Sequence, residues 1–317
     1  MTDRFRAHIV VNVLCTVSLM SIFLTVIGTW IGSRGRRRGL IAQQVAPPAP
    51  ECYTVLTLPI TKGVVFVQKH LTVVHFSPTG GTRRAALLLA EGLAERIDEL
   101  DLTLPAPTGR AFGPQDAVLF AGPVFGGRLP ALMTQRLKHC TGEGTPAVTA
   151  AVYGNRAFED ALLELNDCVT AQGFRVVASA ALVAEHSISR AVAAGRPDGA
   201  DREQLLGFAP AILRKLASGG DISVPGNRPY RAWTPSRAVP AVSETCTACG
   251  QCAAQCPARA IPPDDPKHTD PERCFLCMRC IARCPQHART YPAKAQAMVD
   301  QRLAPLRTVR RENELFV

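Results

Sequence analysis

The chain has 317 residues, of which 47% are hydrophobic and 20% charged, so it can bury a substantial core and has the length of about two domains. Its formal net charge of +10 is uneven: residues 1–70 carry eight Lys and Arg against two acidic residues, residues 71–220 carry 14 against 15, and residues 221–317 carry 14 against nine. A neutral middle, without interleaved aromatic and basic residues or a helix-turn-helix pattern, argues against nucleic-acid binding, and the basic C-terminal third could attract acidic partners.

Residues 1–70 form an N-terminal extension whose main feature is the uncharged run from Ile9 to Gly32. A helix of 24 residues reaches about 36 Å, enough to cross a hydrocarbon core of about 30 Å. Four arginines follow the run within residues 34–38, so the positive-inside rule predicts a single membrane helix with the C-terminal bulk in the cytoplasm. A cleaved secretory signal would be shorter and would not have arginines at its end. The other interpretation is that translation begins further down, between residues 64 and 71.

The pattern of residues 71–220 predicts an α/β domain, because short β-branched runs alternate with amphipathic helical stretches. This is the pattern of a doubly wound parallel sheet. The predicted strands are Thr72–Phe76, Ala117–Ala121, Ala147–Tyr153 and Val176–Leu182. The predicted helices are Arg83–Ile97, Leu129–Lys138, Glu159–Ala171 and Arg202–Ser218.

A hydroxyl- and glycine-rich turn lies between the first predicted strand and helix. It comprises Ser77, Pro78, Thr79, Gly80, Gly81 and Thr82. Hydroxyl groups and backbone N–H groups at a helix N-terminus can bind a phosphate without a lysine. Neither the G-K-[ST] of a P-loop nor G-x-G-x-x-G is present. An ordinary capped helix start is the alternative interpretation.

This turn resembles the FMN-phosphate loop of flavodoxins, with Gly81 where those proteins often have Asn. Two further loops are similar to the flavodoxin loops that pass the two faces of the isoalloxazine ring, one after Ala121 and one after the strand that ends at Tyr153. The resemblance implies bound FMN at the carboxyl ends of the strands. The implied phosphate ligands are Ser77, Thr79, Gly80, Gly81 and Thr82; the implied ring neighbours are Pro123, Phe125, Gly126, Gly127, Tyr153, Asn155 and Phe158.

Glu185 and His186 follow the last predicted strand and could reach the same pocket. A lone histidine there is more often structural than functional. No other general acid/base pair is visible in this domain, so an oxidoreductase acting on a small substrate is the least favoured function.

Residues 221–317 contain eight of the twelve cysteines in two runs that repeat after 28 residues. The runs are Cys246, Cys249, Cys252, Cys256 and Cys274, Cys277, Cys280, Cys284, each followed by proline. The spacing C-x2-C-x2-C-x3-C-P brings three thiolates to one iron-sulfur cube and directs the fourth elsewhere. Paired zinc sites would need two ligand pairs separated by a longer loop. A disulfide scaffold would need an exported domain and wider spacing.

The two runs resemble the bacterial two-cluster 4Fe-4S ferredoxins. The resemblance implies a small α+β domain in which the fourth cysteine of each run binds the other cluster. One implied ligand set is Cys246, Cys249, Cys252 and Cys284; the other is Cys274, Cys277, Cys280 and Cys256. The remaining cysteines, Cys15, Cys52, Cys140 and Cys168, are interpreted as ordinary thiols.

The combination resembles fused flavodoxin-ferredoxin proteins over about residues 70–317. It predicts an electron-transfer protein that carries two 4Fe-4S clusters and FMN, relays electrons between a redox donor and an acceptor, and has redox proteins as partners. The alternative is a 4Fe-4S ferredoxin whose flavodoxin-like domain binds no flavin and docks a partner. Residues 294–317 predict a helix with a tail and no chemistry.

Overall fold

The computed structural model of the protein describes residues 67–104, 109–234 and 236–317. These residues belong to one compact unit. The membrane helix predicted at residues 9–32, like the rest of the extension up to residue 66, lies outside the described residues. Within the described ranges, no helix is both long and apolar enough to cross a membrane.

The main sheet has six strands in the order β2-β1-β4-β6-β7-β10, and all but β10 run parallel. In chain order the elements are β1 (Gln68–His75), α1 (Gly81–Ala90), β2 (Ala94–Asp101), β3 (Arg110–Phe112), β4 (Val118–Pro123), α2 (Ala131–Leu137), β5 (Cys140–Gly142), β6 (Thr145–Tyr153), α3 (Ala161–Thr170), β7 (Phe174–Val183), α4 (Gly199–Ser218), β8 (Ala241–Val242), α5 (Gln251–Ala254), α6 (Arg279–Ala282), β9 (Arg289–Thr290), α7 (Ala293–Leu303), a 3-10 turn (Ala304–Leu306) and β10 (Glu314–Phe316). The five parallel strands have the 2-1-3-4-5 order of flavodoxin-like sheets.

Two hydrophobic layers cover the sheet, which explains why its central strands are apolar throughout. On one face, α1 and α4 contribute residues such as Leu89, Leu205 and Ile212 to one core cluster. Met133 of α2 and Leu165 of α3 belong to the second cluster. The predicted strands at 72–76, 117–121, 147–153 and 176–182 are confirmed within a few residues, as are the helices at 129–138, 159–171 and 202–218.

The helix predicted over Arg83–Ile97 is wrong in its second half. Helix α1 ends at Ala90, and residues 94–101 form β2, which pairs with β1 from Gln68 to His75. Apolar residues at Leu93 and Ile97 fit a helical period, but the backbone turns at residues 91–93, where the N–H of Gln68 donates to Leu93 O at 2.9 Å. The strand is rich in charge because it lies at the edge of the sheet, where solvent reaches its side chains.

The last residues of the chain pack against the α/β domain and pair with its sheet. After the cysteine-rich segment, the predicted C-terminal helix is confirmed as α7. Its tail forms β10, which pairs antiparallel with β7 through Glu314↔Ala181 and Phe316↔Ser179. The end of the chain is therefore part of the main sheet.

Candidate iron-sulfur and flavin sites

The two cysteine runs fold in the same way, so the 28-residue repeat extends to the backbone. Positive φ angles recur at equivalent positions: Ala248 and Leu276 (51° and 59°), and Gly250 and Met278 (74° and 60°). A one-turn helix, α5 or α6, follows each pair and carries the third cysteine. The N–H of Ala260 donates to Cys256 Sγ at 3.2 Å, and the N–H of Ala288 donates to Cys284 Sγ at 3.3 Å. Backbone N–H donors of this kind stabilise thiolates that bind a cluster.

The eight cysteines are free thiols that surround two separate cavities. The cavity of the inner set is lined by Cys256, Cys274, Cys277 and Cys280. The cavity of the outer set is lined by Cys246, Cys249, Cys252 and Cys284. Each cavity thus receives three cysteines of one run and the fourth of the other, which are the two sets that the ferredoxin resemblance implies. Within the described residues, no three His, Cys, Asp or Glu side chains group closely enough to bind a single metal ion.

The inner set is the more deeply buried of the two. Burial raises the pKa of Cys277 and of Cys274, and raises that of Cys280 to about 11. Binding these sulfurs to iron requires the thiolates, so a bound cluster supplies the positive charge that burial would otherwise oppose. Cys249 of the outer set is exposed.

Three buried arginines lie around the two sets. Arg136 and Arg279 are each 8% exposed and Arg289 is 2% exposed. Among the described residues, none of the three forms an ion pair, and the Nε atoms of Arg279 and Arg289 are buried without a hydrogen-bond partner. Arg279 lines the inner cavity and Arg289 the outer one. Because an unpaired buried cation is costly, these side chains fit two anionic clusters.

The phosphate-binding residues predicted from the sequence form the start of α1. Gly80 caps the helix with a φ of 97°, and the N–H of Arg83 donates to Ser77 Oγ at 2.9 Å. In the part of the chain that the structure describes, the N–H groups of Thr79, Gly80, Gly81 and Thr82 have no acceptor. Four free donors at a helix N-terminus fit a phosphate group.

The loops that follow β1, β4, β6 and β7 meet at one end of the sheet and line a cleft. Its narrow part, about 100 Å³, is lined by Thr79, Gly81, Thr82, Pro123, Phe125, Gly126, Gly127, Tyr153, His186 and Cys277, among others. A wide part of about 610 Å³ shares Thr79, Gly81, Glu185 and Ser187 with it and reaches Met278 and Tyr291. The combined space falls in the range of small-molecule sites, about 300–1,000 Å³. The free N–H donors of the phosphate loop and the size of the whole cleft are those of a site for a small molecule that carries a phosphate.

Not every predicted ring neighbour faces the cleft. Phe158 is 8% exposed and packs on Tyr153 with ring centroids 5.5 Å apart. Asn155 is fully buried, and its Nδ2 donates to Val309 O at 2.7 Å in the C-terminal segment. Phe158 and Asn155 therefore shape the loop from behind. His186 lines the cleft against Gly154, and burial, together with Arg156, lowers its pKa to about 4.

Trp233 packs on the loop after β4 and was not identified from the sequence. A Cβ on Gly126 would lie 2.0 Å from the indole, so glycine here admits Trp233. Phe125 stands edge-on to Trp233 and is also near Phe275, with centroids 6.3 and 6.0 Å apart. No local pattern marks this contact, because Trp233 lies in the irregular segment between α4 and β8.

Comparison with known proteins finds a family match for the cysteine-rich segment. Residues 245–288 match the family described as 4Fe-4S dicluster domain. Comparison with curated proteins gives no match. Among solved structures, the flavodoxin of Streptococcus pneumonia is 18% identical, with a TM-score of 0.33 over 47% of this chain and 98% of that chain.

Two longer proteins are matched over just over a third of their length. The rubredoxin oxygen:oxidoreductase of Desulfovibrio gigas is 16% identical, with a TM-score of 0.34 over 48% of this chain and 37% of that chain. The flavodiiron protein of Giardia intestinalis is 19% identical, with a TM-score of 0.29 over 48% and 37% of the two chains. Strand order, rather than these low TM-scores, identifies the α/β fold. The protein thus combines a flavodoxin-like α/β fold with a 4Fe-4S dicluster domain at residues 245–288.

Proposed function

We propose that the protein is an electron carrier that holds two 4Fe-4S clusters and one FMN in a single chain. One observation carries the proposal: Cys277 of the inner set lines the same cleft as Thr79 and Gly81 of the phosphate loop. When bound, FMN exchanges two electrons in single steps and each cluster exchanges one, so the chain could join a two-electron donor to one-electron acceptors.

The chain's own residues bind and position these groups. The inner and outer sets supply four thiolates each, and the N–H groups of Thr79–Thr82 hold the phosphate. The narrow part of the cleft lies between the loops that contain Phe125 and Tyr153. His186 borders it as a neutral imidazole, because its Nδ1 accepts hydrogen bonds from the N–H groups of Ile188 and Ser189 and burial disfavours its charge.

A flavin-free docking domain is the second candidate. Trp233 fills the space next to Gly126, and the narrow part of the cleft is small for an isoalloxazine ring. In that case the clusters alone would carry electrons, and the α/β domain would bind a partner.

The partner and location are part of the proposal. The C-terminal third has 14 basic and nine acidic residues, so an acidic redox protein is the favoured partner. The segment at residues 9–32 would hold these domains at the cytoplasmic face of a membrane.

Adding a negative charge to the phosphate loop tests whether the protein binds FMN there or has a flavin-free docking domain. Thr79 is exposed and lines both parts of the cleft, so substitution there should not disturb folding. Thr79→Asp places a carboxylate beside the phosphate, and Thr79→Asn is the neutral control of the same size. We expect Thr79→Asp to weaken FMN binding at least tenfold, while Thr79→Asn binds FMN like the wild type. Riboflavin, which lacks the phosphate, should bind all three proteins equally.

The measurement is quenching of flavin fluorescence on titration into the full-length, cluster-loaded protein under anaerobic conditions. Wild-type protein that takes up no FMN would reject the flavin part of the proposal and favour the docking domain. Equal FMN affinities for Thr79→Asp and Thr79→Asn would show that the phosphate does not bind at this loop.

A further inference from the structure

Arg279 connects the inner cysteine set to the phosphate loop. It lies between Cys277 and Cys280 at the start of α6. Its Nη1 donates to Pro78 O at 2.9 Å, next to Thr79 of the phosphate loop. Its Nη2 reaches Gln255 Oε1 at 3.4 Å, in the residue that precedes Cys256. One side chain therefore contacts the phosphate loop and a segment of the inner set.

Arg279 has no direct ion-pair partner in the described part of the protein, although Asp101 lies near enough to act on its charge. The side chain is 8% exposed, no carboxylate of the described residues pairs with it, and its Nε–H is buried without an acceptor. Two anions would be close when the sites are filled: the inner cluster, whose cavity Arg279 lines, and the phosphate bound beyond Pro78. A buried cation gains most from such partners because solvent does not screen it.

We propose that Arg279 is a positioning residue that couples the two sites: it raises the reduction potential of the inner cluster and holds the phosphate loop in its FMN-binding shape. The coupling rests on the proposed function, since it needs both groups. A cation near a cluster favours the reduced form, which carries one more negative charge. The hydrogen bond to Pro78 O fixes the turn whose next four N–H groups would receive the phosphate. Cluster insertion and FMN binding therefore support each other.

The chain offers a matched control. Arg273 directly precedes Cys274 of the inner set, as Arg279 precedes Cys280, but Arg273 is exposed. Arg279→Gln and Arg273→Gln remove the same charge beside the same cluster, one buried and one in solvent. Arg279→Lys keeps the charge but loses the planar group that reaches two acceptors at once.

The test combines a redox titration followed by electron paramagnetic resonance with an FMN titration, both on the full-length protein. We expect Arg279→Gln to shift one cluster midpoint to a more negative value and Arg273→Gln to shift neither. The shifted signal should be the one missing from Cys277→Ser, an inner ligand, and retained in Cys249→Ser, an outer ligand. Loss of one hydrogen bond from a charged donor should weaken FMN binding by about tenfold.

Arg279→Lys separates the effect of the charge on the inner cluster from the effect of the hydrogen bond on the phosphate loop. It also replaces Arg279→Gln in the test if that variant fails to bind its clusters. It should retain the inner midpoint and still bind FMN more weakly. Arg279 variants with both midpoints and FMN affinity like those of the wild type would overturn the coupling, as would a shift of the outer cluster alone. Those results differ from failure of the proposed function, in which the wild type itself binds no FMN.

Discussion

The loop after β6 depends on the C-terminal segment for its shape, and Asn155 makes the connection. Its Nδ2 donates to Leu306 O at 3.2 Å and to Val309 O at 2.7 Å, and its Oδ1 accepts from the N–H of Arg311 at 3.2 Å. The residue is fully buried and has a φ of 61°. Because its neighbours Tyr153 and Gly154 line the cleft, we expect Asn155→Ala to lower both the free energy of unfolding and the affinity for FMN.

Two contributions set the size of the loss. Losing the part-buried hydrogen bond from the N–H of Arg311 to the Asn155 amide costs about 0.5–1.5 kcal/mol. The carbonyls lose less, because Val309 is 44% exposed and water can replace the amide. A non-glycine residue without a polar side chain at positive φ adds about 1–2 kcal/mol. We therefore expect losses of about 3 kcal/mol for Asn155→Ala and about 2 kcal/mol for Asn155→Gly, which loses the hydrogen bonds but tolerates the backbone.

Urea denaturation of the full-length protein, followed by circular dichroism under anaerobic conditions, measures both variants. The difference in unfolding free energy between the two variants measures the backbone strain at positive φ. The loss of unfolding free energy that both variants share measures the contribution of the hydrogen bonds. If both variants unfold within about 0.5 kcal/mol of the wild type, the range of neutral surface substitutions, the C-terminal segment does not hold this loop.

Three further predictions concern other parts of the molecule. Asp201→Asn leaves the 3%-exposed Arg196 without its carboxylate partner and should cost about 3–5 kcal/mol of unfolding free energy, measured in urea. His186 has a folded-state pKa lowered from 6.5 to about 4 by burial, so the unfolded chain binds its proton first as the pH falls. Stability should therefore drop by about 2 kcal/mol from pH 7 to pH 5 in the wild type, and His186→Gln should abolish this part of the dependence; equal slopes would contradict it. Cys284→Ser should remove the same paramagnetic signal as Cys249→Ser, although the two cysteines belong to different runs; loss of different signals would contradict the crossed ligand sets.

The elements that the sequence predicts correctly are those with a local signal. Strands such as 147–153 are apolar throughout because both faces are covered, and the cysteine spacing reflects a loop closed within a dozen residues. The end of α1 was predicted wrongly because Leu93 and Ile97 satisfy a helical period as well as a strand. Only pairing with β1 decides between them.

The features that the sequence does not reveal are contacts between distant residues. Arg279 and Pro78 are 201 positions apart, and Trp233 meets Gly126 across more than 100. The pairing of β10 with β7 likewise depends on where the chain end lies in space. Such contacts leave no periodicity, so an arginine between two ligand cysteines looks like any exposed charge until its burial is known.

The most direct test of the account is the iron, sulfide and FMN content of the full-length protein, purified anaerobically and supplied with FMN. The account predicts about eight irons, about eight sulfides and about one FMN per chain. About four irons per chain would contradict the two-cluster arrangement. About eight irons with no retained FMN would contradict the flavin site and leave a two-cluster protein with a flavin-free α/β domain.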